Sequence, residues 1–141
     1  MNEALWKYLE KVKNGEKKKL KGFLLIPLDQ VKIKEDYIMV FQESIRNIIK
    51  NMELTKEEYK VFFYLLSVTD FENYIWVTQQ EIAEELNMKQ PNISRALKSL
   101  VDMGLLVKEK RGRNNVYKIN PQIAWKGKEK NRKNILKLDN E

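Results

Sequence analysis

The sequence predicts an α+β fold that is mainly helical, with a C-terminal β-hairpin and short strands near the N-terminus. Apolar stripes with helical spacing follow helix-start signals through residues 55–102. Two strand-like runs separated by turn-forming residues then predict the hairpin. The chain has 141 residues, of which 43% are hydrophobic, so it can bury the core of one domain with a short appendage.

The first third of the chain carries the weakest pattern. The basic run Lys17–Lys21 is interpreted as a solvated linker, with a phosphate-binding arm as the alternative. Phe23–Ile26, cut by Pro27, predicts an edge strand. Tyr37–Phe41 predicts a second strand, and Glu43–Lys50 predicts a helix. An amphipathic helix is predicted over the first dozen residues from the stripe Leu5, Tyr8, Leu9 and Val12.

Two capping boxes, Thr55 with Glu58 and Thr78 with Glu81, predict helix starts in the middle of the chain. Between these helices, Ile75–Val77 is long enough only for a short strand. The stripes expected to face inward are Tyr59, Phe62, Phe63 and Leu66 after the first box, and Ile82, Ala83 and Leu86 after the second. The aromatic side chains expected in the core, and not on a base-stacking platform, are Tyr59, Phe62, Phe63, Tyr74 and Trp76.

A third helix is predicted over Gln90–Asp102, after a sharp turn at Asn87. Asn tolerates the left-handed conformation that this turn requires. Pro91 is compatible with the first helical turn because an N–H there has no intrahelical partner. Gly104 is expected to end the helix as a left-handed cap, with Leu105 packed back against it. The expected buried stripe of this helix is Ile93, Leu97, Leu100 and Val101.

The runs Leu105–Lys110 and Val116–Ile119 predict the two hairpin strands, with Arg111–Asn115 between them. Trp125 is expected to pack on the domain, and the segment beyond about residue 127 is expected to be polar and loose. The predicted organisation has three parts: an N-terminal amphipathic helix with a basic linker over residues 1–20, the hairpin-containing domain over 21–127, and a polar basic tail over 128–141.

Composition excludes several classes of chemistry. The chain has no Cys and no His, so disulfides, thiolate nucleophiles, imidazole metal ligands and Ser-His-Asp triads are excluded. None of its 5 glycines belongs to a phosphate-binding loop motif. A carboxylate enzyme stays open on composition alone, but we expect no catalysis, metal or cofactor. No apolar run approaches the ~20 residues that span a bilayer, and signal-peptide features are lacking, so the cytoplasm is the expected compartment.

The net charge of +7 is distributed unevenly along the chain. Residues 1–50 carry +4, residues 51–102 carry −4 and residues 103–141 carry +7. Such asymmetry favours a surface that faces a polyanion. The third predicted helix has no acidic residue from Asn87 to Val101, while Lys89, Arg95 and Lys98 supply positive charge.

The order helix, helix, tight turn, helix, hairpin is that of a winged helix-turn-helix, in which the third helix enters the major groove of DNA. The hairpin, or wing, carries a net charge of +4 and can reach the DNA backbone or a neighbouring minor groove. Glu81, Glu84 and Glu85 of the preceding helix are expected to face away from DNA. The candidate DNA-binding residues are Thr78, Gln79, Lys89, Gln90, Asn92, Ser94, Arg95, Lys98, Lys110, Arg111, Arg113, Asn114 and Asn115.

The run Thr78–Leu86 followed by Gln90–Leu97 resembles the helix-turn-helix of winged-helix regulators, which MarR-like repressors share. The closing segment Val116–Gly127 is similar to the hairpin end of Firmicute plasmid replication proteins of the RepL kind. In those proteins a wing strand leads into Asn-Pro and then into an aromatic-Lys-Gly, here Asn120-Pro121 and Trp125-Lys126-Gly127. The resemblance covers roughly residues 55–127.

The resemblance implies that Gln90–Lys98 is the recognition helix and that Lys110–Asn115 is the wing. Two positions depart from the family pattern. Lys89 occupies the N-cap, where Ser or Thr is usual. A lysine at this position lacks their capping hydroxyl, which lowers helix stability by about 1 kcal/mol. Asn87 replaces the usual Gly of the turn.

The resemblance implies sequence-specific binding to double-stranded DNA, as a plasmid replication initiator or replication control protein. Rolling-circle nickases of the paired-histidine type need a His metal site, so we expect initiation without cutting. A MarR-like transcriptional repressor is one alternative, and a protein-interaction winged helix that does not bind DNA is the second. The expected partners are double-stranded DNA, host replication proteins and a second copy of the chain, with no membrane. The stripe that includes Leu5 and Leu9 is either the pairing surface of that homodimer or packed on its own domain.

Overall fold

The computed structural model describes residues 36–139, together with Lys7 and two short strands, β1 (Lys19–Leu20) and β2 (Phe23–Leu24). The chain divides into two compact units, Met1–Tyr37 and Ile38–Glu141. In the first unit β1 and β2 pair antiparallel. The strand at Phe23–Leu24 confirms part of the predicted edge strand, whereas β1 corrects the expectation of a linker there.

Lys7 is helical, but the rest of the predicted N-terminal helix lies outside the described residues. The predicted stripe of Leu5, Tyr8, Leu9 and Val12 therefore stays a prediction, and so does the pairing surface inferred from it.

The second unit confirms the predicted α+β class with a C-terminal hairpin. Its elements in chain order are β3 (Met39–Val40), α1 (Gln42–Asn51), α2 (Lys56–Ser67), a 3₁₀ turn (Phe71–Asn73), β4 (Tyr74–Ile75), α3 (Gln79–Leu86), α4 (Gln90–Asp102), β5 (Leu106–Arg111), β6 (Asn114–Ile119), β7 (Ala124–Trp125) and α5 (Glu129–Asp139). No helix in the described part of the chain has the length and apolar character needed to cross a membrane.

The capping signals set the helix starts as predicted. The hydroxyl of Thr55 accepts from the N–H of Glu58 at 3.2 Å, and that of Thr78 accepts from the N–H of Glu81 at 3.1 Å. Each glutamate accepts in turn from the backbone N–H of its threonine, which completes the capping box. Asn87 ends α3 in the left-handed region at φ +52°, so the tight turn before α4 is confirmed.

A Schellman motif ends α4 and directs the chain into β5. The N–H of Leu105 donates to the carbonyl of Leu100 at 2.9 Å, and that of Gly104 donates to Val101 at 3.0 Å. Gly104 adopts φ +81°, a conformation that a residue with a Cβ rarely adopts. Leu105 is fully buried, so the cap is also a packing contact.

Three antiparallel strands form the main sheet, in the order β4-β6-β5. The hairpin register places Arg111 opposite Asn114 and Lys110 opposite Asn115, and only Gly112–Arg113 connects the strands. The predicted five-residue turn is therefore wrong, because its outer members belong to the strands. The short strand predicted near Ile75 is present as β4, which pairs with β6.

A second strand pair joins β3 to β7, with Met39 opposite Trp125. Trp125 is fully buried, as predicted. Two other aromatic predictions are wrong, because Phe63 is 66% exposed and Trp76 is 53% exposed. Members of the predicted inward stripes that are only half-buried are Tyr59, Leu66, Leu86 and Val101, and Tyr74 is also half-buried. The core is formed mainly by Val61, Phe62, Leu65, Ile75, Ile82, Ile93, Leu97, Leu100, Leu106 and Ile119.

The segment beyond residue 127 forms α5, which corrects the expectation of a loose tail. Arg132 Nε donates to the carbonyl of Pro121 at 2.8 Å, and its guanidinium carbon lies 3.8 Å from the ring centroid of Phe41. Asn131 donates from its amide to Glu72 at 2.9 Å. Phe41 and Glu72 are distant from the tail in sequence and Pro121 lies outside it, so the local polarity of the tail gave no sign of these contacts.

Asn73 connects three parts of the second unit through one buried side chain. Its amide nitrogen donates to the carbonyls of Ile119 and Ala124, both at 2.8 Å. Its amide oxygen accepts from the backbone N–H of Lys126 at 2.9 Å. Asn73 is fully buried and adopts φ +69°, which Asn tolerates better than most residues. The end of β6, β7 and the 3₁₀ turn are therefore held by one amide.

We predict that Asn73→Ala lowers the free energy of unfolding by about 3 kcal/mol, because it leaves buried backbone groups without partners. Urea unfolding followed by circular dichroism measures this change. Asn51→Ala is the matched control, since Asn51 is exposed at the end of α1 and should change stability by less than about 0.5 kcal/mol. Equal losses in the two variants would contradict a structural role for Asn73.

Candidate nucleic-acid interface

The recognition helix predicted from the sequence is α4, and burial of one side fixes which side faces outward. Ile93, Ala96, Leu97 and Leu100 are buried. With 3.6 residues per turn, the opposite side presents the exposed residues Pro91, Ser94, Arg95, Lys98 and Asp102. The face is therefore polar and basic over most of its length, and its acidic residue comes at the C-terminal end.

One flank of α4 faces the start of α2, whose glutamates make the surroundings of this flank acidic. Asn92 and Arg95 of α4 share a shallow pocket with Glu57 and Glu58. Ser99 Oγ donates to Glu58 Oε2 at 2.7 Å. Burial raises the pKa of Glu58, but hydrogen bonds from Ser99 and from the capping threonine outweigh it and lower the pKa overall. Glu58 is thus ionised at neutral pH, and a phosphate approaches α4 most favourably from the other side.

The side chain of Arg95 is oriented by its own helix. Its guanidinium donates to the amide oxygen of Asn92, one turn earlier. Asn92 is half-buried and Arg95 is exposed, so the Asn92 amide limits the orientations of the exposed Arg95 guanidinium. An arginine held in this way keeps further N–H groups available to a ligand.

The starts of α3 and α4 are joined by an amide pair. Gln90 Nε2 donates to Gln79 Oε1 at 2.8 Å. Lys89 occupies the N-cap of α4 as predicted, and its side chain makes no capping hydrogen bond. The two glutamines and Lys89 therefore lie close together at one end of α4.

A groove opens between the wing tip and the start of α3. Its volume is about 440 Å³ and its floor includes Leu65, Ile82 and Leu97. The polar residues that line it are Thr78, Gln79, Asn114 and Asn115, and Trp76 lies at the same groove. The structure thus brings four of the predicted binding residues together, although they belong to segments more than thirty residues apart in sequence.

The two faces of the wing carry different cations. Alternate strand residues face opposite sides, so Lys110 shares a face with the buried Leu106, whereas Arg111 shares the other face with Lys118. Arg111 donates to the hydroxyl of Tyr74 at 2.8 Å, and its guanidinium carbon lies 4.7 Å from the ring centroid of Tyr74. Arg111 is exposed, as Lys110 is, but its guanidinium is already hydrogen-bonded within the protein.

Sequence reasoning missed an aromatic pair beside the wing, formed by Tyr74 and Trp76. Their rings are stacked, with centroids 5.0 Å apart and planes inclined by 10°. Lys118 Nζ lies 4.6 Å from the ring centroid of Tyr74. The period of two in a strand was the available signal, because Tyr74 and Trp76 flank the buried Ile75 and so face away from the core.

None of the thirteen residues predicted to bind DNA is buried. Gln79 and Asn92 are half-buried and the other eleven are exposed. They form a set on α4, a set around the groove and a set at the wing tip.

No curated protein matches this sequence. The family described as the Firmicute plasmid replication protein (RepL) matches residues 16–140, which is most of the chain. That match extends the resemblance seen in the wing and in the Asn-Pro segment to nearly the whole sequence. The chain belongs to the Firmicute plasmid replication protein (RepL) family.

Proposed function

We propose that this chain binds double-stranded DNA in a sequence-specific manner through α4 and the wing, and that it initiates or controls plasmid replication without cutting DNA. The observation that carries the proposal is the outward face of α4. Ser94, Arg95 and Lys98 lie on that face, with no acidic residue from Asn87 to Val101. The major groove of B-DNA is wide enough for one helix with such a face.

The residues of α4 divide by the kind of contact that their chemistry allows. Gln90 and Arg95 have the amide and guanidinium groups that pair with base edges, adenine and guanine respectively. Lys89 and Lys98 are point charges suited to phosphates, which position a protein without reading sequence. The hydrogen bond from Arg95 to Asn92 supports base reading, because it limits the orientations of the guanidinium before binding.

The groove and the wing tip supply further contacts to the DNA backbone in this proposal. Thr78, Gln79, Asn114 and Asn115 line the groove with neutral hydrogen-bonding groups. Lys110 and Arg113 are exposed near the tip, where the chain turns at Gly112–Arg113. Arg111 is assigned a smaller role, because it is already bound to Tyr74.

The proposed mechanism is occupancy of a site, followed by assembly of the host replication proteins there. The absence of His from the chain supports initiation without a nick of the paired-histidine type. We infer that two copies bind half-sites about one turn of DNA apart, since helix-turn-helix proteins commonly pair in this way. Action at a plasmid places the protein in the cytoplasm.

Nuclease protection of a fragment that carries the gene and its flanks tests the proposal directly. We expect a protected site, and we expect the same fragment to replicate autonomously when the protein is supplied. Protection near the promoter without replication would favour a transcriptional repressor. Failure to bind any duplex in dilute buffer would favour a winged helix that contacts only proteins.

We predict that the affinity for duplex DNA falls steeply with salt. Neutralisation of about five phosphates by each copy gives a slope of about −4 to −5 per bound copy in a plot of log K against log salt concentration. Fluorescence anisotropy over a series of salt concentrations measures the slope. Lys98→Ala should make it shallower by about 1. A slope near zero would contradict phosphate neutralisation.

We predict different consequences for two cationic substitutions. Arg95→Ala should cost ~1–3 kcal/mol on the specific site and less on random duplex, because it removes a base contact. Lys110→Ala should weaken binding to both duplexes by similar factors, because it removes a phosphate contact. Competition between specific and random duplexes separates the two effects. Equal losses on both duplexes for Arg95→Ala would exclude base reading by this residue.

A further inference from the structure

Trp76 presents one face of its indole ring to solvent. The residue is 53% exposed, and its other face is stacked on Tyr74 at a centroid distance of 5.0 Å. Single exposed aromatic side chains are common on protein surfaces, so what distinguishes Trp76 is its stacked ring and the charges around it, not exposure alone. Trp76 also lies at the groove lined by Thr78 and Asn114, beside the proposed duplex interface.

The ring of Trp76 is held in one orientation. Its indole N–H donates to Asp70 Oδ2 at 3.0 Å, and the other carboxylate oxygen of Asp70 accepts from the N–H of Phe71. These two hydrogen bonds lower the pKa of Asp70, so the acceptor stays charged at neutral pH. Because the indole N–H lies in the plane of the ring, Asp70 contacts the ring edge and leaves the face uncovered.

The two cations nearest to the stack leave the outer face of Trp76 open. The guanidinium carbon of Arg111 lies 4.7 Å from the Tyr74 centroid and 5.8 Å from the Trp76 centroid. With 5.0 Å between the two rings, these distances place the guanidinium beside the stack. A group above the outer face of Trp76 would be much farther from Tyr74. Lys118 lies over Tyr74 at 4.6 Å.

Charge around the stack is net positive only when the adjoining wing tip is included, and that surplus favours an anionic ligand. Two cations, Arg111 and Lys118, and two carboxylates, Asp70 and Glu109, surround the stack, and the Tyr74 hydroxyl donates to Glu109 at 3.5 Å. These local charges balance, and the adjoining wing tip adds further exposed cations. A flat ring with cations beside it is the arrangement by which proteins bind single-stranded nucleic acid without sequence preference.

We propose that the outer face of Trp76 is a stacking platform for an unpaired DNA base, which gives the chain a single-strand binding mode beside its duplex interface. The proposal rests on the proposed function, because a protein bound at an origin has separated strands next to it when replication begins. A base placed on Trp76 continues the stack that Tyr74 starts, and the Arg111 guanidinium, 5.8 Å from the Trp76 centroid, supplies positive charge at its side.

The test measures the anisotropy of a fluorescein-labelled mixed-sequence strand of about 20 nucleotides, and of the matching duplex, at one salt concentration. Trp76→Ala should weaken single-strand binding at least about fivefold, with a smaller effect on the duplex. Phe63→Ala is the matched control, because Phe63 is 66% exposed on α2 and is remote in sequence from the wing. It should change neither affinity by more than about twofold.

Trp76→Phe keeps an aromatic ring and should keep most of the single-strand affinity. The same variant also reports on contact, because stacking of a base quenches indole fluorescence. The wild-type protein should lose emission as the strand is added, and Trp76→Phe should lose less. The quenching measurement remains informative if Trp76→Ala folds poorly, because it compares only the wild-type protein with Trp76→Phe.

Three results would overturn the platform: no binding of the single strand by wild-type protein, equal losses for Trp76→Ala and Phe63→Ala, or the same quenching in wild type and Trp76→Phe. If the wild-type protein binds duplex but not single strand, the stacking platform is rejected and the proposed duplex function is retained. Binding of single strand with quenching, but with no binding of any duplex, supports the platform and rejects the proposed duplex function.

Discussion

Burial of a single apolar stripe on α4 determines what this protein can present to a ligand. Ile93 and Leu100 are fully buried and Leu97 is nearly so. Once these three side chains are fixed in the core, the geometry of the helix leaves Ser94, Arg95 and Lys98 no direction except outward. The same stripe determines the position of the wing, because the cap at Leu105 joins the end of α4 to the strand that follows.

The sequence predicted those elements whose causes lie within a few residues of one another. The bounds of α4 and both capping boxes are confirmed, since a cap, a turn residue and an apolar period are local properties. The exposure of Trp76 follows from strand alternation around the buried Ile75, which the prediction overlooked, whereas the tail helix depends on contacts with other segments of the chain. Arg132, for example, has partners in Phe41 and Pro121, and nothing near residue 132 indicates them.

The same distinction between local properties and contacts across the chain applies to the candidate site. Solvent exposure of the thirteen selected residues agrees with the sequence pattern, because polar residues between buried ones must face outward. Their mutual arrangement was not predictable. Arg111 appeared equivalent to Arg113, yet strand alternation places Arg111 against Tyr74. The acidic flank of α4 was also missed, because Glu58 looked like a capping residue only, whereas it also accepts a hydrogen bond from Ser99.

The pairing of β3 with β7 has a kinetic consequence. Met39 meets Trp125 across more than eighty residues of intervening chain, whereas α3 and α4 are sequence neighbours and β5 and β6 form a tight hairpin. Contacts between near neighbours lose little chain entropy and form early, while the closure of so long a loop is slow. We therefore expect nascent chains to form the helices and the hairpin first. The pairing of β3 with β7, which joins the two ends of this unit, should form last.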